Sequence, residues 1–134
     1  MDALARMQRW AHILWIFPLA WGVTIYYLLT MPVDVEPQPW MFPHIDKLVH
    51  MVLFGTLAWL ILLPLRLSLR RSVLLSVLLS FSLATLYGGW MEYWQSTLPH
   101  REGNWADVLA NALGAASVLF ALRKTTKTTL TAPS

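Results

Sequence analysis

Four long apolar runs limit what this chain can become more than any other feature. They cover about residues 11–31, 48–65, 73–91 and 105–122. Each is near the ~17–25 residues that a helix needs to cross ~30 Å of hydrocarbon at ~1.5 Å per residue. Lipid offers no partner to an unpaired backbone amide, so such runs must be helices rather than strands. The expected fold class is all-α: an integral membrane bundle of four transmembrane helices. The second and fourth runs are short, which predicts little tilt or snorkelling polar flanks. Of 134 residues, 57% are hydrophobic and only 13% charged, where a soluble domain carries roughly a quarter charged. The charges fall in short clusters between the runs. One domain over residues 1–124 holds all four spans. The threonine-rich tail 125–134 has no apolar face and is expected to be disordered.

The breaks between spans are legible. Pro32, Pro37, Pro39 and Pro43 predict a non-helical first loop, because proline removes a donor and restricts the residue before it. Arg66, Arg70 and Arg71 divide the second run from the third, and residues 99–104 divide the third from the fourth. Basic residues are unevenly shared among these breaks. Arg6 and Arg9 precede the first span, and Arg123, Lys124 and Lys127 follow the fourth. The other two loops hold only Lys47 and Arg101, against Asp34, Glu36, Asp46 and Glu102. With four spans, every strongly basic segment lies on one side, and the positive-inside rule predicts that both termini are cytoplasmic. Trp40, Trp90, Trp94 and Trp105 then fall near the outer interface and Trp10 near the inner one, as an amphipathic ring prefers. Trp15, Trp21 and Trp59 lie within spans and read as packing residues. The first span is too long for a secretory signal and lacks a small-residue cleavage site, so it reads as an uncleaved anchor.

The net charge of +3 and the sequence pI of about 9.6 serve orientation better than they serve nucleic acid, since a chain embedded in lipid has little surface to present as a basic patch. No nucleic-acid partner is expected. The chain has no cysteine, which excludes disulfides and thiolate metal sites. Small residues repeat every fourth position at Ser72, Ser76 and Ser80 and at Ala106, Ala110 and Gly114, a spacing that lets helix backbones approach in lipid.

The polar groups inside these runs carry the most information. Asp46, Lys47 and His50 sit at the start of the second span. Gly88, Glu92 and Gln95 end the third, and Asp107, Asn111 and Gly114 open the fourth. The spacings of three and four put each set on one helix face. Arg101 and His100 lie in the intervening loop. All these groups are therefore expected at one depth near the outer surface. Asn111 is the deepest, roughly 10 Å into its helix, and should face other helices. Glu92 and Asp107 need Arg101, Lys47 or His50 beside them, or should take up protons. Arg101 follows a proline-containing turn, so it is expected to fold back between Glu92 and Asp107 and to present its free donors to an anion.

At these residues the chain resembles the VanZ-like family, named after a teicoplanin-resistance protein. The matching pattern is Asp46-Lys47-x-x-His50 with Phe54 following, then Glu92-x-x-Gln95, Arg101, and Asp107-x-x-x-Asn111-x-x-Gly114. It covers about residues 46–115, and the four-span layout extends it further. The chain departs from the pattern at Met51, where an aromatic residue is frequent, and at His100 and Glu102 around the arginine. The resemblance implies a small bacterial protein of the cytoplasmic membrane. One branch of the family is linked to lower sensitivity to a glycopeptide antibiotic that targets cell-wall precursors.

Several readings of the polar cluster stay open. As a headgroup site, Arg101 and Lys47 would meet phosphate, while Gln95 and Asn111 would bond sugar or glycerol oxygens, with Asp46, His50, Glu92 and Asp107 completing the site. The partners are then membrane lipids or a lipid-linked cell-wall precursor. Three acids against two bases leave the cluster near −1, which opposes a phosphate. As architecture, the same side chains would satisfy one another and set helix register. As an enzyme, His50 and Glu92 would be a catalytic general-base pair acting on a lipid headgroup. His50, Glu92 and Asp107 could hold a divalent metal, but Lys47 and Arg101 oppose it and no metal-specific spacing is present, so no metal and no cofactor is expected. Proton-linked transport would require a homo-oligomer, because four spans make a narrow bundle.

Overall fold

The computed structural model describes residues 10–32, 44–68 and 72–123. The expectations for Arg6, Arg9, Arg70, Arg71, Lys124, Lys127, Trp40, the loop prolines after Pro32 and the tail 125–134 lie outside them. The described residues are all-α, with four helices long and apolar enough to cross a membrane: Trp10–Thr30, Ile45–Leu67, Val73–Ser96 and Trp105–Arg123. We label their regular cores α1 (Ile16–Thr30), α2 (Ile45–Ser68), α3 (Val73–Ser96) and α4 (Trp105–Ala115), the last continued by a 3-10 turn, Ala116–Leu119. The second and third spans are longer than the apolar runs suggest. Helix α2 takes in Asp46 and Lys47, and α3 runs on through Glu92 and Gln95. A polar side chain does not end a helix when a neighbouring helix supplies its partner.

Local signals account for the boundaries. Ser72 caps α3, its side chain accepting from the Leu75 amide at 3.2 Å. Asn104 caps α4 by accepting from the Ala106 amide at 3.0 Å, and Asp107 in the first turn suits the positive end of the helix dipole. Helix α1 ends at Met31 with no basic residue in its last turn, so its terminal carbonyls must find partners elsewhere.

Helix α2 is central and packs on α3, α4 and, less extensively, α1. The core joins Ile25 and Leu29 of α1 to Leu53, Phe54, Leu57 and Ala58 of α2, Val77, Ala84 and Met91 of α3, and Ala115 and Val118 beyond. Outward faces carry large apolar groups such as Leu19, Tyr27, Leu86 and Leu113, each more than half exposed or nearly so, as lipid-facing positions require. The α2–α4 contact is a backbone approach. A Cβ on Gly114 would collide with the Met51 carbonyl, and one on Gly55 would sit 3.0 Å from the Gly114 carbonyl oxygen. Of the small-residue repeats, Ser76, Ser80, Ala110 and Gly114 are buried, while Ser72 is exposed.

Hydrogen bonds from side chains to backbone carbonyls tie the helices together. Trp21 donates to Leu53 at 3.0 Å, Tyr87 to Gly22 at 2.7 Å and Ser80 to Ala58. Trp59 donates to the Ser117 hydroxyl at 3.0 Å, at the 3-10 turn. Trp21 and Trp59 thus act as donors as well as packing residues. Such bonds matter in hydrocarbon, where apolar burial does not drive helix association.

Candidate functional site

The end of α1, the start of α2, the end of α3 and the start of α4 meet at one end of the bundle, and the polar constellation meets with them. Lys47 bridges two acids, Asp46 at 2.8 Å and Asp107 at 3.1 Å. Asp107 is nine-tenths buried and Asp46 is exposed, so Lys47 links the interior to the rim. Beneath them lies a buried group from three helices. His50 Nδ1 is 2.9 Å from Asn111 Oδ1 and 3.3 Å from Glu92 Oε1. Asn111 Nδ2 donates to the Gly88 carbonyl at 3.4 Å.

The Gly88 carbonyl orients this network. A carbonyl only accepts, so it must face the Asn111 NH2, which turns Oδ1 toward His50. Nδ1 of a neutral His50 then carries the proton, and Nε2 keeps its lone pair, an assignment made from the bonding pattern. Gly88 is needed for the approach, since a Cβ there would lie 2.8 Å from Asn111 Cβ. The His50 ring also stacks on Phe54, with centroids 6.4 Å apart.

Glu92 is 4% exposed. Its Oε2 accepts from the Asn104 amide at 3.4 Å, which ties α3 to the cap of α4. Its Oε1 is buried without a hydrogen-bond partner. Ligand atoms of His50, Glu92 and Asp107 all lie within 4.8 Å of one another. The three could hold a cation, or pass a proton between His50 and Glu92.

Arg101 corrects the sequence expectation. Neither Glu92 nor Asp107 holds it; Asp107 pairs with Lys47, and Glu92 faces His50 instead. Arg101 Nη2 donates to the Met31 carbonyl at 3.0 Å, while its Nε is buried without a partner. Its neighbours do the same work. Gln95 Nε2 donates to the Leu29 carbonyl at 2.8 Å, and a His100 ring nitrogen lies 3.1 Å from the Thr30 carbonyl. The three carbonyls that end α1 are thus met by one face of α3 and the loop after it. A helix terminus attracts cationic and amide donors to its exposed carbonyls.

Above this network is a recess of about 370 Å³ lined by Asp46, His50, Gln95, Arg101, Asn104 and Asp107, among others. Glu92 and Asn111 sit behind its wall. Asn104, absent from the residues expected at the site, lines the recess and bonds to Glu92. Its signal was an asparagine before an apolar run with Asp107 three residues on, the signature of a helix start. A second, apolar groove of about 530 Å³ runs between α1, α2 and α3, past Gly22, Tyr26, Leu57, Leu83 and Trp90. Tyr26 and Tyr87 stack on Trp90, which stacks on Trp94.

The family model described as VanZ/LLP1 matches residues 3–123, and the chain belongs to that family. No curated protein and no solved structure matches it.

Proposed function

We propose that this VanZ/LLP1 protein binds a lipid headgroup, of a phospholipid or a lipid-linked cell-wall precursor, at the non-cytoplasmic face of a bacterial cytoplasmic membrane. The observation that supports this most is the polar recess at the helix ends, beside an apolar groove. Trp90 on that groove is little more than one helical turn below Gln95 on the recess. A headgroup in the recess could leave its acyl chain along α1, α2 and α3. Arg101 spends one N–H on Met31 and keeps others for phosphate. Gln95, having donated to Leu29, offers its Oε1 to a hydroxyl. The acid-rich rim, Asp46 and Glu102, suits a ligand rich in hydroxyl or amine donors.

The test is lipid retention by full-length protein purified in mild detergent, read by native mass spectrometry. Arg101→Lys keeps the charge but loses the planar fork. It should lower retained lipid severalfold while the protein still folds. Unchanged retention in well-folded variant protein would remove the headgroup role.

One observation favours a purely architectural network. Lys47, His50, Gln95 and Asn111 already bond to protein groups. On that reading, variants at these positions alter folded yield and leave lipid retention per folded molecule unchanged.

A further inference from the structure

We propose that His50, Glu92 and Asp107 form a site for a divalent cation that accepts mixed nitrogen and oxygen ligands, such as Mn²⁺ or Zn²⁺. The three side chains come from α2, α3 and α4 and bring their ligand atoms within 4.8 Å of one another. All three are buried, His50 at 6%, Glu92 at 4% and Asp107 at 9% exposure. Glu92 supplies an independent sign of an under-satisfied acceptor: its Oε1 has His50 Nδ1 3.3 Å away and no hydrogen bond. That oxygen points into this group and is shielded from solvent. A buried carboxylate oxygen that faces only a neutral imidazole is poorly compensated, and a cation would compensate it.

Charge points the same way. Arg101 is turned to the Met31 carbonyl, so Lys47 is the one cation paired with this group among the described residues. Asp46, Glu92 and Asp107 against Lys47 leave two negative charges when His50 is neutral. A divalent cation cancels them. Lys47 binds one oxygen of Asp107, Oδ1, and need not leave Asp46 for the other to be used. Asn111 accepts from His50 Nδ1, the kind of outer partner that orients a ligating imidazole. A nitrogen and two carboxylates select transition cations over Mg²⁺ and Ca²⁺, which prefer oxygen alone. The site stands on this geometry. Its use, as a bridge between the carboxylates and a phosphate, rests on the headgroup reading, and it would overcome the repulsion that an acidic recess otherwise offers a phosphate.

The full chain in detergent, stripped with EDTA, is titrated with Mn²⁺ alone and followed by electron paramagnetic resonance. One saturable Mn²⁺ per chain is expected, with nitrogen coupling from His50 in the spin-echo spectrum. Loss of an outer-shell partner can alone cost ~10–100-fold in metal affinity, so Glu92→Gln and His50→Gln should each weaken binding by more than about tenfold. Asp46→Asn removes the same charge at the exposed rim and should cost less than about threefold. The wild-type spectrum decides the matter even where a variant fails to fold. No saturable binding, no nitrogen coupling, or an equal loss in Asp46→Asn overturns the site. The bridge has its own arm: EDTA should release lipid retained by wild-type protein, and retention indifferent to EDTA overturns the bridge. Absence of any retained lipid counts against the headgroup reading and leaves the Mn²⁺ result to stand alone.

Discussion

Asn111 shows how one amide can organise a membrane-embedded site. It is fully buried and bonds to helices on both sides, accepting from His50 on α2 and donating to Gly88 on α3. Asn111→Leu keeps the volume but strips His50 and the Gly88 carbonyl of their partner. A buried polar group left unmatched costs about 1–3 kcal/mol, so thermal unfolding in detergent should shift down by a corresponding amount. Gly88→Ala should act on the same network from the other side. Its Cβ would press on Asn111 Cβ, and overpacking of this kind costs about 1–3 kcal/mol. Because both substitutions disturb one network, the double variant should lose less than the sum of the two losses. Full additivity would mean that the two residues act independently.

Helices in lipid must be held by shape and by polar contacts, and α2 uses both. Against α4 it relies on backbone proximity at Gly55 and Gly114; against α3 it relies on the Ser80 hydroxyl and the buried His50–Glu92 contact. Gly114→Ala should therefore force α2 and α4 apart and destabilise by about 1–3 kcal/mol, since the atom it meets is backbone and cannot rotate away. Gly89→Ala is the matched control. Nothing lies within 4 Å of a Cβ there, and alanine gains up to about 1 kcal/mol of helix propensity over glycine. Thermal shift on the two variants should give opposite signs. Helix α1 is attached differently, through Trp21, Tyr87 and the capture of its last carbonyls by Gln95, His100 and Arg101. Its light packing makes those contacts a larger share of what positions it.

For the whole molecule, we propose that the four spans put both ends of the chain on one side of the membrane and the polar cluster on the other. On this proposal the termini are cytoplasmic, as the arginine and lysine bias predicts. Reporter fusions after Arg71 and after Lys127 should both report cytoplasm, and an external signal at either would overturn the orientation proposed for the recess. Native mass spectrometry of the same preparation reads oligomeric state together with retained lipid.

The number of helices and the depth of the polar groups were legible in the sequence because both follow from local rules. Hydrocarbon thickness sets span length, and helical periodicity sets which residues share a face. That is why Asp46, His50, Glu92, Asp107 and Asn111 could be expected at one level before any coordinates. Who pairs with whom was not legible. Charge counting alone makes Arg101 the natural partner of Glu92 and Asp107, yet Arg101 bonds to a carbonyl that ends α1, a partner with no side-chain signature. The apolar runs stop short of the polar ends of α2 and α3, whereas helical spacing already put Lys47 and Glu92 on those ends; their partners Asp107 and His50 come from neighbouring helices. Partner choice depends on which helix faces which across the bundle, and that is settled by close approaches such as Gly114 on Met51. Contacts of this kind join residues far apart in the chain, where periodicity and composition carry no information.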